Sequence, residues 1–404
     1  MRLLFLTPQF PYPPHKGTTL RNFNLIAGLA ARHEIDLLSF HDAARVPTGP
    51  LDALCRRIAV VSMPHRSNVR RAIDTLISPW PDLGLRLWSP PFMAQFQAWL
   101  RDGDYDVIQI EGLELARYGL ALARLLPAAR GRQLVFDDHN AEYLLQARIA
   151  QTERAAHGWS PGAIYSTLQA RKLRRFERRI ARQADRVVAV SAADAAALRE
   201  LDRALRVHVV PNGIDTALYD RRWVTPIALP PHALVFTGTM DFRPNVDAAL
   251  WFAREALPLI KAEVPDAHFM IVGQRPHARL NALRSDPSIV ITGGVADTRP
   301  YIAGASVYVI PLRMGGGTRF KLLEALALVA PCVSTTLGAE GFEVTSGHEL
   351  VLADEAVTFA RATVELIRQP EQGRALGVAG RSFAEKYDWG RIVPQLEELT
   401  RLKA

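Results

Sequence analysis

Short apolar runs recur along this chain, separated by longer stretches in which apolar residues return at helical spacing. In the first half the runs are RLLFLT (2–7), EIDLLSF (34–40), DVIQI (106–110), QLVFDD (133–138), RVVAVS (186–191) and VHVVP (207–211), and a helical pattern from Thr19 to Ala31 follows the first of them. After Pro211 the polar, proline-bearing passage NGIDTALYDRRWVTPIALPPH interrupts the pattern, which then restarts. The second series is ALVFTGT (233–239), a helix through DAALWFAREALPLI, HFMIVG (268–273), IVITG (289–293), VYVIP (307–311), a helix beginning near Arg319, PCVST (331–335) and LVLAD (350–354). Strands separated by helices of ten or more residues predict parallel βαβ units. The reading is an α/β protein of two doubly wound domains, joined across residues 212–232.

In open parallel sheets ligands sit at the carboxyl ends of the strands, so the informative residues are expected in the loops just after them. TPQFPYPPHKGTT follows the first strand, DDHNAE follows QLVFDD, TGTMDFRPN opens the second domain, and PLRMGGGTRFK follows VYVIP. If the two domains face each other, these loops line one cleft from both sides. Neither domain carries G-x-G-x-x-G with an acid about twenty residues on, and G-x-x-x-x-G-K-[ST] and G-x-S-x-G are absent, which argues against a dinucleotide dehydrogenase, a P-loop enzyme and an α/β-hydrolase.

Composition alters this picture little. The 404 residues are 49% hydrophobic and 22% charged, ordinary for two globular domains. Cys55 and Cys332 are far apart and have no partner at metal-ligand spacing, so neither a disulfide framework nor a zinc site is expected. The apolar start MRLLFLT is soon broken by prolines, and no stretch is long enough to span a bilayer, so a soluble, cytoplasmic protein is expected. Charge is more telling. The net charge is +8, and between Arg171 and Arg186 stand eight basic residues against Glu177 and Asp185. Leu173, Phe176 and Ile180 recur there at helical spacing, which predicts an amphipathic helix whose basic face is either solvated or meets anionic lipid head groups or an acidic acceptor. No nucleic-acid motif accompanies it. Residues 65–101 mix Arg66, Arg70, Arg71 and Arg86 with Trp80, Trp88, Phe92 and Trp99, which suits either a bilayer interface or two helices packed on the first domain with a bend at Ser89-Pro90-Pro91.

The chemistry concentrates in MGGGTRFKLLE (314–324). Glycines at a helix start leave backbone N–H groups open to an anion, so Gly315, Gly316 and Gly317 admit a phosphate, with Thr318 a candidate N-cap. Arg319 and Lys321 can balance the phosphate charge, while Glu324, deeper in the helix, suits sugar hydroxyls. In the first domain Gly17 can present amides to the same anion. His139 lies in an acid-rich strand-end loop, and Glu111 and Glu114, after DVIQI, either face an acceptor or serve a helix start.

Taken together, these segments resemble the retaining nucleotide-sugar glycosyltransferases of the GT-B fold, family-4 type, in a bacterial exopolysaccharide-type subgroup. The resemblance runs from the Pro-rich loop ending in Lys16-Gly17, through the His139 loop, ADRVVAVSAAD (184–194), VVPNGID (209–215), FTGTMDFRPNVDAALWF (236–252), IVGQRP (271–276), ITGGVADTRPYIAGASVYVIPL (291–312) and GGGTRFKLLEALAL (315–328), to EKYDWGRIVPQLEEL (385–399). It implies an acceptor-binding domain over 1–213, a donor-binding domain over 214–385, and a helix over 386–404 that returns to the first domain. It further implies a nucleoside-diphosphate sugar as donor, a glycan or lipid-linked acceptor, peripheral contact with an anionic membrane surface, and no essential metal. Gly293 to Val295 would meet the base, Glu324 the ribose, and Gly317, Thr318 and Gly17 the diphosphate. Gly238, Arg243, Gly273 and Gly316 belong to the same donor loops, and His139 would lie near the donor sugar.

Two departures stand out. The first acid of the family's Glu-x7-Glu is replaced by Gly316, and the usual Arg and Lys pair after the first strand of the second domain is missing, since TGTMDFRPN holds only Arg243. Arg319 and Lys321 are therefore the expected replacements for the leaving-group cations. An inert sugar-nucleotide-binding scaffold and a nucleotide-sugar epimerase are the alternatives.

Overall fold

The computed structural model describes residues 1–15, 17–42, 49–125, 132–317 and 319–401. Contacts divide the chain into two units: Met1–Pro211 together with the segment from Trp389 onward, and Asn212–Asp388.

The first unit holds seven strands: β1 (Arg2–Thr7), β2 (Glu34–His41), β3 (Arg57–Ser62), β4 (Val107–Glu111), β5 (Gln133–Asp138), β6 (Arg186–Ala189) and β7 (Val207–Val209), all parallel, in the order β3-β2-β1-β4-β5-β6-β7. The second unit holds β8 (Ala233–Thr237), β9 (His268–Val272), β10 (Ile289–Gly293), β11 (Val307–Ile310), β12 (Cys332–Ser334) and β13 (Val351–Leu352), again parallel, in the order β10-β9-β8-β11-β12-β13. Both orders reverse direction once, between β1 and β4 and between β8 and β11. Such a switch point leaves a crevice outside the strand ends, where doubly wound sheets take their ligands.

Seven helices matter below: α1 (Gly17–Ala30), α2 (Asn68–Ile77), α3 (Glu142–His157), α4 (Pro161–Gln183), α5 (Arg243–Trp251), α6 (Phe320–Ala327) and α7 (Trp389–Arg401). Successive residues of β1 enter two different cores. Leu4 and Leu6 pack with Phe92, Phe96 and Phe176, while Leu3 and Phe5 pack with Leu25 and Ile26 of α1 and with Trp389, Ile392 and Leu396 of α7. A strand buried on both faces needs apolar residues at every position, hence the unbroken run RLLFLT. The closing helix α7 thus belongs to the first unit, where Arg32 and His33 also bond Glu397.

Three expectations are refined. The strand β3 has no counterpart among the expected runs, because none of its residues is fully buried and RIAVVS lies at the sheet edge. The helix expected through DAALWFAREALPLI ends at Trp251, passes through a π-turn over Phe252–Ala256 and resumes as an α-helix over Leu257–Glu263. Pro258 has no N–H for the i−4 carbonyl and its ring crowds that group, and one wider turn relieves both problems. Residues 65–101 form three helices rather than two, α2, Asp82–Arg86 and Pro90–Asp102. The expected bend at Ser89 is an N-cap, its hydroxyl accepting from Phe92 N, with Pro90 in the first turn.

Candidate functional site

In the second unit the strand ends converge. Gly273, after β9, approaches Gly238, after β8, so closely that a Cβ on Gly273 would lie 1.7 Å from the Gly238 carbonyl oxygen. Only glycine fits there, and Gly273 N donates in turn to Gly293 O at 3.2 Å. Lys321 reaches the same place from the first turn of α6. Its ammonium donates to Thr237 O at 3.0 Å and Asn245 Oδ1 at 2.8 Å and stands 4.3 Å from the centre of the Phe236 ring. Burial, reinforced by the charge of Arg319 and opposed by Glu324, pushes the Lys321 pKa down to about 7.

Gly315 and Gly317 have φ of +100° and +84°, which a side chain would strain, so the sharp loop into α6 requires them. Arg319 braces that loop: it is buried, donates through Nη1 to Gly316 O at 3.0 Å and through Nε to Leu337 O at 3.3 Å, and lies 3.7 Å from the Glu340 carboxylate. Burial lowers its pKa against the pull of Glu340. Thr318 lies outside the described residues, and the helix begins at Phe320 with no side-chain cap from Arg319. Glu324 accepts from the Tyr219 hydroxyl at 3.2 Å, and burial raises its pKa against that bond and the charge of Lys321. Arg243 is exposed at the start of α5, and Val295 packs half-buried against the core.

The first unit gathers its polar groups at the ends of β4 and β5. His139 Nε2 meets Glu111 Oε2 at 2.8 Å, and Glu111, wholly buried, also accepts from Gln109 Nε2 at 2.9 Å. Burial pulls the His139 pKa down, but the bond to Glu111 and the charges of Glu111 and Asp137 outweigh it, and the net shift is upward. Arg21 of α1 is buried with Asp137, with Nη2 at 2.7 Å and Nε at 3.0 Å from the same oxygen, and its Nη1 donates to Pro211 O at 3.1 Å. Glu111, Asp137 and His139 bring ligand-type atoms within 4.8 Å of one another, but Arg21 already supplies the positive charge at that point. Gly17 is the exposed first residue of α1, and Glu114 is partly exposed on the turn after β4.

Four functional candidates went unread in the sequence: Arg21, Asp138, Glu142 and Glu177. Glu177, buried on the inner face of α4, accepts from the N–H groups of Glu142 and Tyr143 at 2.9 and 3.0 Å. Burial pushes its pKa up to about 8 and, together with Glu177, drives that of Asp138 well upward. Glu142 is pushed to about 7 by burial and by Glu114. The only clue in sequence was a carboxylate at the apolar phase of α4, seven residues after Ala170 and one after Phe176.

Residues 15–218 match the family described as Glycosyltransferase Family 4, and residues 231–369 match Glycosyl transferases group 1. A GDP-mannose-dependent alpha-(1-6)-phosphatidylinositol monomannoside mannosyltransferase of Mycolicibacterium smegmatis is 32% identical over 162 residues, 36% of this chain and 42% of that protein. A protein of 44.6 kDa from the cps region of Klebsiella pneumoniae is 23% identical over 168 residues, 39% of this chain and 43% of that one. The matched segments thus span about two fifths of these relatives. Among solved structures, Anabaena HepE in complex with UDP and glucose aligns over 100% of both chains at TM-score 0.67 and 17% identity. The sucrose-phosphate synthase of Thermosynechococcus elongatus aligns over 99% of this chain and 98% of its own at TM-score 0.72 and 18% identity. At such identities the likeness establishes the fold, which is GT-B.

Proposed function

The chain belongs to glycosyltransferase family 4, and from that premise we propose that it moves a sugar from a nucleoside-diphosphate sugar to a glycan or lipid-linked acceptor, with retention of anomeric configuration and without an essential metal. The observation that carries this reading is the strand-end cluster of the second unit, where Gly238, Gly273 and Gly293 clear the backbone and Lys321 brings a buried cation to the end of β8. A diphosphate needs such a combination: open backbone, and positive charge that is already in place when the sugar leaves. Glu324, steadied by Tyr219, supplies an acceptor for ribose hydroxyls.

Two roles are reassigned on geometry. Arg319 gives its guanidinium to the carbonyls of Gly316 and Leu337, so it shapes the glycine loop and leaves the leaving-group charge to Lys321. Glu111 is buried beneath His139, so it orients the imidazole instead of touching an acceptor; its carboxylate takes Nε2 and leaves Nδ1 for a sugar hydroxyl. Glu114, partly exposed, keeps the acceptor side. UDP in complex with HepE and the GDP-mannose dependence of the mycobacterial relative support the donor class and leave the base and the sugar open.

A thermal-shift screen of the full chain against UDP-, GDP- and ADP-sugars tests the donor reading. A ligand that binds only the folded state raises the melting temperature by mass action, roughly 2.7 kcal/mol of stabilisation at a hundred times its Kd. One nucleotide series is expected to raise it; no response to any of them contradicts the reading.

A further inference from the structure

The helix α2 is built inside out. Its buried residues are Asp74 and Thr75, whereas Val69, Ile73, Leu76 and Ile77 are 71%, 44%, 79% and 75% exposed. At 100° per residue these four apolar positions, with the exposed Ala72 among them, share one face, and Asp74 and Thr75 lie away from its centre. The inward side is fastened by charge. Arg66 bonds Asp74 at 2.8 Å and Asp82 at 2.9 Å, and Arg71 bonds Asp82 at 2.9 Å. At the other end Lys172 of α4 donates to Thr75 O at 2.6 Å and Ser78 O at 2.7 Å, satisfying carbonyls of the last turn. The apolar side chains therefore cannot turn inward without breaking an ion-pair network that holds them out. By staying in water these side chains leave apolar surface exposed, which favours contact with an apolar phase outside the protein.

We propose that α2 is an interfacial helix that lays Val69, Ile73, Leu76 and Ile77 into the head-group region of an anionic bilayer. Charge complementarity selects this occupant. Arg70, two-thirds exposed, borders the apolar face, and the exposed Arg171, Arg174 and Arg175 of α4 begin beside the Lys172 that holds α2. A second copy would bring the same arginines against each other, whereas anionic lipid meets them with opposite charge. Beneath α2 lies a cavity of about 480 Å³ whose lining includes Arg66, Arg71, Arg86, Tyr165 and Gln169 and reaches Glu142, three residues past His139. Docking through α2 thus presents a membrane-borne acceptor to the His139 loop; in this respect the inference deepens, and rests on, the lipid-linked branch of the proposed function.

Co-sedimentation of the full chain with phosphatidylglycerol–phosphatidylcholine vesicles, beside pure phosphatidylcholine, tests the docking. Binding to the anionic vesicles is expected at low salt, and the double variant Ile73→Asp, Leu76→Asp should weaken it roughly tenfold or more. The single variant Arg70→Glu, which leaves the apolar face intact, should weaken it less. The double variant should melt at the wild-type temperature, Arg70→Glu somewhat below it because it also breaks the ion pair of Arg70 with Asp74 at 3.2 Å, and both should keep the thermal shift given by the nucleotide sugar. Failure of the wild type to bind anionic vesicles, or binding untouched by the double variant, overturns the proposal. So does a dimer in sedimentation velocity that the double variant dissolves, since the face would then belong to a second copy. Failure of the donor reading has a separate signature, vesicle binding with no thermal response to any nucleotide sugar.

Discussion

Lys321 sits only one position into α6, yet its ammonium reaches the end of β8, and that reach gives it a measurable property. Its pKa is pushed down to about 7, so near neutrality a sizeable fraction is uncharged. A diphosphate brought beside it favours the charged form and draws in a proton. Nucleotide binding at pH 7.5 is therefore expected to take up part of one proton, read by calorimetry in two buffers of different ionisation enthalpy. Lys321→Met should abolish the uptake and weaken binding about tenfold or more; uptake unchanged in that variant would detach Lys321 from the anion. The sequence made Lys321 and Glu324 legible because glycines, cations and an acid stood in one short segment. Arg21, Glu142 and Glu177 were not legible, since each gains its meaning from a partner far along the chain, such as Asp137 for Arg21. The direction of Arg319 was equally hidden: spacing put it beside the loop, and only the carbonyls of Gly316 and Leu337 explain why it turns to the loop's own backbone.

Among elements, α4 carries two faces with opposite demands. Its arginines stay outside, and Leu173, Phe176 and Ile180 are buried, as the apolar spacing predicted. The same buried face carries Glu177, which sits with Asp138 of β5, and two carboxyls in one dry site must hold a proton. A carboxyl whose pKa is raised on folding contributes its stability fully below the unfolded value and loses it as pH rises through the folded value. For Glu177 the window runs from about 4.5 to about 8. The wild type is expected to lose melting temperature across this window, and Asp138→Asn, whose amide can donate to Glu177 at every pH while Glu177 keeps its bonds from Glu142 N and Tyr143 N, should lose about 4 °C less or better. Parallel pH slopes for the two proteins would refute the shared proton. The edge strand β3 and the π-turn before Leu257 escaped the apolar pattern for related reasons: one is half-solvated, and the other is forced by a single proline inside an otherwise helical run.

For the whole molecule, two parallel sheets with one switch point each were readable from the order of apolar runs, because a buried parallel strand announces itself by continuous hydrophobicity. The return of α7 to the first unit followed from resemblance alone, and its physical ground appears in the packing of Trp389, Ile392 and Leu396 against Leu25 and Ile26. Among the described residues no helix is long and apolar enough to cross a membrane. We propose that the cluster of glycines and Lys321 releases a nucleotide while the sugar keeps its configuration. It is tested most directly by incubating the full chain with the nucleotide sugar that stabilises it and a lipid-linked acceptor, and reading the anomeric coupling constant of the product by NMR. A new glycoside with the donor's anomeric configuration is expected. An inverted product, or tight donor binding with neither transfer nor hydrolysis, would contradict it.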